Sequence, residues 1–381
     1  MTTAEGPLKL RRNINLDALR AVAIFMVLGR HSGYSIHWAR VWARAGWAGV
    51  DLFFVLSGFL ISGLLFVGYQ ERGRIDFSRF YIRRGLKIWP AFYVLIATGL
   101  LIEVARGNSV SFAALLSELA FMQSYFKGIW GITWSLAVEE HFYLSLPLVL
   151  LLIRRDSERP FAAMPYVFGG IAILAFLCRF AVGWKQDGTN DLQSYLYPTH
   201  LRIDGLMFGV LLSYYHRFRP DVFERIASWR GGWIVIATAV VLISKVPVQN
   251  RNMHTWGLTV VYLAAGCLVA KAVAFEGPSP IRLISSLLAR IGVYSYSIYL
   301  WHIFYQQYVL EYFHIPRPAL WFWCDFVGAI LFGIAAAKAI EIPMIRFRDR
   351  VFPHSSKNCE TSTNQPTEEL VKAHPDGALI N

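Results

Sequence analysis

Arg20 and His31 lie eleven residues apart in the first apolar segment of a 381-residue chain. At 3.6 residues per turn that is about three turns, so the two side chains share one helix face, roughly 16 Å apart along the axis. The longest uncharged run there is Ala21–Gly29, well short of the ~20 apolar residues of a span. Both groups therefore fall within the bilayer thickness or at its edges, where an ionisable side chain is costly unless it faces a cavity or a partner. An imidazole can act there as a general base, and a guanidinium can grip an anion.

Three further stretches carry chemistry. The first runs from Gly49 to Ser62, with Asp51 at its start. A carboxylate can fix the tautomer of a neighbouring imidazole; equally, it can favour a helix N-terminus with no function attached. In Phe80–Pro90, Arg83, Arg84 and Lys87 lie within one helical turn. Guanidinium groups there suit phosphate or pyrophosphate, and they also suit a topology signal against anionic lipid. In Thr133–Leu144, Glu139 and Tyr143 share a face four residues apart, with Trp134 and Ser135 just upstream. That reads as the floor of a polar pocket, or as acid placed favourably at a helix start.

The elements that must position these groups are membrane helices. The chain is 55% hydrophobic and only 16% charged, against about 25% charged in soluble domains. Ten apolar segments follow, near 15–34, 47–69, 86–104, 138–153, 162–183, 201–215, 232–247, 255–274, 291–311 and 320–343. Phe112–Phe126 is apolar but short, and is expected to be interfacial or re-entrant. Lys9, Arg11, Arg12, the 72–87 cluster, Arg154, Arg155, Arg159, Arg217, Arg219, Arg225, Arg230, Arg282, Arg290, Arg346, Arg348 and Arg350 fall in alternate loops, while Arg40, Arg44, Arg106, Lys127, Lys185, Arg251 and Arg317 sit in the sparser opposite set. By the positive-inside rule this predicts an all-α polytopic membrane protein with about ten transmembrane helices and both termini cytoplasmic. The expected organisation is a cytoplasmic segment over 1–14, one transmembrane domain over 15–350, and a disordered cytoplasmic tail over 351–381.

Several classes are disfavoured. The net charge of +12 follows loop topology, with no compact basic face carrying aromatics, so no nucleic-acid role is expected. Cys178, Cys267, Cys324 and Cys359 show no metal or redox spacing, and no histidine spacing suggests a metal site. The N-terminus does not read as a signal peptide, because Asp17 and Arg20 interrupt its apolar stretch. His302 is the one other imidazole deep in a span; it reads either as a satisfied core residue or as a second functional ring.

Together these stretches resemble the acyltransferase-3 family of multispan membrane O-acyltransferases. The resemblance rests on Arg20 and His31 with ten residues between, Gly49–Ser62, Arg83-Arg84 before Ile88-Trp89-Pro90, and Trp134–Glu140 before Phe142-Tyr143. Weaker echoes lie at Arg202–Gly209, Ser295–His302 and Glu341–Pro343. His141 and Arg30 depart from the family pattern without removing a motif residue.

The resemblance implies acyl-coenzyme A, acetyl-coenzyme A in the first instance, as a co-substrate rather than a tightly bound cofactor. It implies a hydroxyl of a carbohydrate or lipid-linked glycan as acceptor, membrane lipid as surroundings, and the bacterial inner (cytoplasmic) membrane as location. It assigns His31 as catalytic base with Asp51 or Glu139 orienting it, and Arg20, Arg83, Arg84 and Lys87 to the coenzyme A end. Trp134, Ser135, Tyr143 and Arg202 fall to the acceptor side. The competing reading is a transporter or flippase with Arg20, His31 and Glu139 as an intramembrane polar path; a non-catalytic scaffold would leave that charge unexplained.

Overall fold

The computed structural model describes residues 13–32, 36–154, 159–184 and 191–352. Most of the expected 1–14 segment and of the 351–381 tail lies outside these described residues, as do the loop charges Lys9, Arg11, Arg12, Arg155 and Lys185. Among the described residues all regular structure is helical. The helices are α1 (Ile14–Ser32), α2 (Arg40–Ala45), α3 (Ala48–Arg72), α4 (Phe77–Ala105), α5 (Phe112–Leu119), α6 (Trp134–Ile153), α7 (Met164–Trp184), α8 (Leu192–Tyr195), α9 (Ile203–Phe218), α10 (Pro220–Ser228), α11 (Gly231–Lys245), α12 (Leu258–Ala274), α13 (Ser279–Gly292), α14 (Ser295–Tyr308), α15 (Pro318–Ala336) and α16 (Ile342–Val351). One-turn π segments at Met253–Gly257 and Ala337–Glu341 run straight into α12 and α16.

The chain is an integral membrane protein. Among the described residues six helical stretches are long and apolar enough to cross a bilayer, or up to eight if two bent pairs each count as one span. Those pairs are α10 with α11, bent by 58°, and α13 with the stretch Ser295–Phe313, bent by 57°. All ten expected segments overlap helices, yet two, α1 and α9, belong to no span even when both bent pairs are counted. The α1 helix has 19 residues but carries Asp17, Arg20 and Arg30, and α9 has only 16 residues. The charges that interrupt α1 include the site candidate Arg20, whereas α9 falls short by its length. As expected, the short apolar piece α5 is not among the spanning helices; Phe112 and Leu116 on it are exposed.

The centre of the bundle is α3, which packs against α1, α9, α12 and α6. Most of its spanning window is buried. Close approach to α9 depends on Gly58 and Gly209, because a Cβ on either would run into the backbone of the other helix. Small residues at such crossings are what membrane helices use where lipid supplies no hydrophobic drive. The turn between α3 and α4 is set locally. Gly73 closes α3 in the left-handed conformation (φ 65°), and Asp76 caps α4 by accepting from the Arg79 amide at 3.0 Å. That turn brings the Arg72–Lys87 cluster onto the end of α3 where Arg20 also lies.

Candidate active site

A cavity of about 810 Å³ runs up the inside of the bundle. Its walls come from α1, α3, the α3–α4 turn, α4, α6, α14 and α16. Glu71 and Arg74, both exposed, mark one end. Eight cations line that end: Arg20, Arg72, Arg74, Arg79, Arg83, Arg84, Lys87 and Arg348. The wall holds only three carboxylates, Glu71, Asp76 and Glu139. Even with Asp17 beside Arg20 (3.6 Å) and Asp349 beside Arg83 and Arg348 (2.9 Å each), cations outnumber carboxylates. The middle of the cavity is apolar, lined by Leu56, Leu60, Ile61, Leu64 and Leu65. Its far end is closed by Val50, Phe53, Ser135, Glu139 and Tyr299.

The structure brings the four expected donor-end residues together, since Arg20, Arg83, Arg84 and Lys87 all line the basic end. They are not equivalent. Arg83 reaches outward, donating to the Phe352 carbonyl at 2.5 Å and to Asp349 at 2.9 Å. Arg84 turns inward and lies over the Tyr143 ring, 4.0 Å from its centre, a cation–π arrangement that fixes the guanidinium plane. Sequence reasoning did not select Arg348 for this end; it enters from α16 at the far end of the chain.

Around His31 the arrangement differs from the expected one. Its ring lies beside that of His302, with centres 5.0 Å apart, and its electrostatic neighbours are His302 and Arg30. Asp51 stands elsewhere. It accepts from Arg202 at 2.9 Å in a pair that is almost wholly buried, so it serves neither as a helix cap nor as a partner to His31. Glu139 is half-buried and lines the cavity. The adjacent Glu140 is buried and accepts from the indole of Trp89 at 3.1 Å. Next to His31, Ser32 is tied to the buried Asp325 at 2.5 Å, and Gln306 donates to the same carboxylate at 3.0 Å. These bonds pin the end of α1 to α15 and α14.

Of the four residues assigned to the acceptor side, only Ser135 lines the cavity. Tyr299 donates to the Ile132 carbonyl at 2.8 Å, and a carbonyl can only accept. The Ser135 hydroxyl, 2.5 Å from the Tyr299 oxygen, is therefore the donor to it. Tyr143 lies under Arg84 and shares a hydrogen bond with Ser57 at 2.7 Å, which places it with the basic end. Trp134 is buried and stacks on Tyr197, centres 4.6 Å apart. Arg202 lies over Trp134 and Phe54, tied to Asp51. Behind it stands a second ion pair, Arg179–Asp204 at 2.7 Å, nearly fully buried. The two departures from the family pattern point away from the cavity: Arg30 donates to the Ala43 carbonyl at 3.1 Å, and His141 meets Thr199 at 2.7 Å.

Sequence reasoning missed Tyr299, Arg348, Asp325 and Arg179. Three of these had a signal. Arg179 and Asp325 are lone charges inside apolar spans, and Tyr296, Tyr299 and His302 recur every three residues on one helix face. Arg348 had none, because its place depends on how α16 folds back onto α4.

Residues 13–338 match a family model, acyltransferase-3, described as an acyltransferase domain. The peptidoglycan O-acetyltransferase OatA of Listeria monocytogenes is 28% identical over 332 residues, covering 81% of this chain and 51% of that protein. Two further relatives carry the word "putative" in their names. One is an O-acetyltransferase of Staphylococcus aureus, 26% identical over 363 residues (88% of this chain, 58% of the relative). The other is the peptidoglycan O-acetyltransferase YrhL of Bacillus subtilis, 26% identical over 389 residues (91% and 58%). The chain thus spans little more than half the length of these relatives. No solved structure matches it.

Proposed function

Because the chain belongs to the acyltransferase-3 family, we propose that it moves an acyl group, acetyl in the first instance, from acyl-coenzyme A to a carbohydrate hydroxyl. The observation that carries this reading is the cavity itself, basic at one end, greasy in the middle, and ending at Tyr299, whose ring centre lies 5.7 Å from that of His302, itself 5.0 Å from that of His31; neither imidazole lines the cavity. Coenzyme A has that same sequence of parts: phosphates, an extended arm, then a thioester. Charge-assisted bonds from Arg84, Lys87, Arg20 and Arg348 hold its phosphates. The arm passes Leu56–Leu65, and the thioester arrives near Ser135 and Tyr299. The rise from Arg20 to His31, roughly 16 Å along α1, is the gap the arm spans.

His31 then removes the proton of the acceptor hydroxyl. The hydroxyl oxygen attacks the thioester carbonyl, the C–S bond breaks, and the thiolate leaves. Polar hydrogens near the cavity's far end favour the oxyanion formed on the way. The donor enters from the cytoplasm, where loop charge puts the basic end, and the glycan approaches from the other side of a bacterial inner membrane. The names of the relatives suggest peptidoglycan as acceptor. Arg20 and Glu139 also line what a transporter would use as a polar path, but such a path needs no acyl donor.

The test is purified protein in lipid nanodiscs, given acetyl-labelled acetyl-coenzyme A and a soluble peptidoglycan fragment. Labelled ester on the glycan, with matching release of free thiol, is the expected result. Absence of thiol release with every glycan offered, or full turnover in His31→Ala, defeats the reading.

A further inference from the structure

His302 stands one residue away from the chemistry just described, on α14, and is almost wholly buried. Its Nδ1 lies 2.6 Å from the Tyr299 carbonyl oxygen, one turn back on the same helix. A carbonyl can only accept, so Nδ1 carries the proton. That fixes the tautomer and leaves Nε2 as a bare acceptor. Nε2 is buried and has no hydrogen-bond partner among the described residues. A buried acceptor left unpaired is destabilising, and a ring that only filled space could be replaced by an apolar one at no such cost. His302 also lies next to His31, ring centres 5.0 Å apart and tilted by 56°, and next to Tyr299, 5.7 Å away. The residue whose carbonyl holds the ring is thus also the one whose side chain closes the cavity and bonds Ser135.

We propose that His302 is a proton-relay partner acting through His31. The inference rests on the transfer reaction proposed above. As the acceptor O–H bond breaks, its proton goes to the bare nitrogen of His31. The proton on the other ring nitrogen of His31 moves to Nε2 of His302, whose Nδ1–H stays on the Tyr299 carbonyl. The acceptor oxygen forms the new C–O bond, the C–S electron pair leaves on sulfur, and the protons run back through His31 to give the free thiol. Two protons move per transfer and none is gained or lost. This gives His31 the oriented partner that Asp51, committed to Arg202, does not supply.

The experiment follows single-turnover thiol release by the full chain in nanodiscs, with acetyl-coenzyme A and a soluble peptidoglycan fragment, in mixtures of H2O and D2O. The wild type should give a curved proton inventory, the mark of two protons in flight. His302→Gln and His302→Asn should lower the transfer rate about tenfold or more, leave the donor KM within about twofold, and turn the inventory linear. A role in packing alone would not straighten that plot. A linear wild-type inventory overturns the relay with no variant needed, as does a His302 variant that keeps the wild-type rate or the curvature. Should His31→Ala abolish transfer while the His302 variants do not, the relay fails and the function stands. A wild type that releases no thiol ends both.

Discussion

Arginine is buried in two ways in this bundle. At the cavity's basic end, guanidinium groups gather with too few carboxylates to neutralise them, and the half-buried Arg84 rests on an aromatic ring facing the cavity. In the network behind Trp134, Arg179 and Arg202 are matched one for one by Asp204 and Asp51, and all four are sealed from solvent. A cation out of water is costly unless paired. The matched set is balanced by the fold itself; at the basic end Arg20, Arg83 and Arg348 meet Asp17 and Asp349, yet cations still outnumber carboxylates. Arginine type does not separate the two; the count of carboxylates within reach does. Asp51, read from sequence beside an imidazole, belongs to the matched set.

The largest expected effect lies at His31, which stands outside both arginine sets and beside His302. His31→Ala should lower transfer by about 10²–10⁴-fold, the range for losing a general base, with donor KM little changed. A loss in KM alone would move His31 from the chemistry to the binding end.

The matched network should report as stability. Arg179→Leu or Arg202→Leu leaves a buried carboxylate without its cation and should destabilise by about 3–5 kcal/mol, read as a lower unfolding temperature in detergent. Replacing both members, Arg202→Leu with Asp51→Leu, should recover much of that loss, since an apolar pair of similar size is often neutral. If the double variant folds as well as wild type yet binds no glycan, the pair holds a ligand after all.

Opposite behaviour is expected at the basic end. Arg84→Ala should leave the unfolding temperature close to wild type and raise the donor KM about 10–100-fold, the worth of a hydrogen bond to a charged group (about 1.5–3 kcal/mol). Arg83→Ala should do less, because Arg83 already spends its guanidinium on Asp349 and the Phe352 carbonyl. Donor affinity unchanged in the double Arg83→Ala, Arg84→Ala variant would revive the transporter reading.

How far the sequence could be read follows the same divide. The gathering of Arg83, Arg84 and Lys87 was legible because the three are neighbours in sequence; that Arg20 joins them was implied by the family resemblance and not by helix periodicity. The pairing of Asp51 with Arg202 and of His31 with His302 was not, because residues 151 and 271 positions apart meet only through the packing of α3 on α9 and of α1 on α14. Trp134 and Tyr143 were assigned together from one stretch of sequence; Trp134 opens α6 and Tyr143 lies about two and a half turns further along it, so they stand at different depths, and one packs on Tyr197 while the other sits under Arg84. Hydropathy marked six spans that helices match in length and composition; α11 and α14 reach that only with their bent partners α10 and α13, and α1 and α9 do not reach it.

Glu118 supplies the smallest and most easily measured case, a buried carboxylate with no cation. It lies on α5, outside the spanning helices, and one oxygen accepts from the Ile129 and Trp130 amides and the Thr133 hydroxyl at 3.0, 3.2 and 2.8 Å. Burial outweighs those bonds and pushes its carboxyl up to about 7. A carboxyl raised on folding stabilises the fold fully below its ordinary value near 4.5, and that contribution is lost as pH rises through about 7. The loop from Phe121 to Thr133 should therefore loosen between about pH 5 and 8, seen as faster amide exchange at Ile129 and Trp130 after correction for the intrinsic rate. Glu118→Gln should keep the acceptor oxygen and flatten that dependence. Should exchange protection instead strengthen with rising pH, Glu118 is held ionised, and a cation brought to it on binding would make its site a member of the unmatched class with the sign reversed.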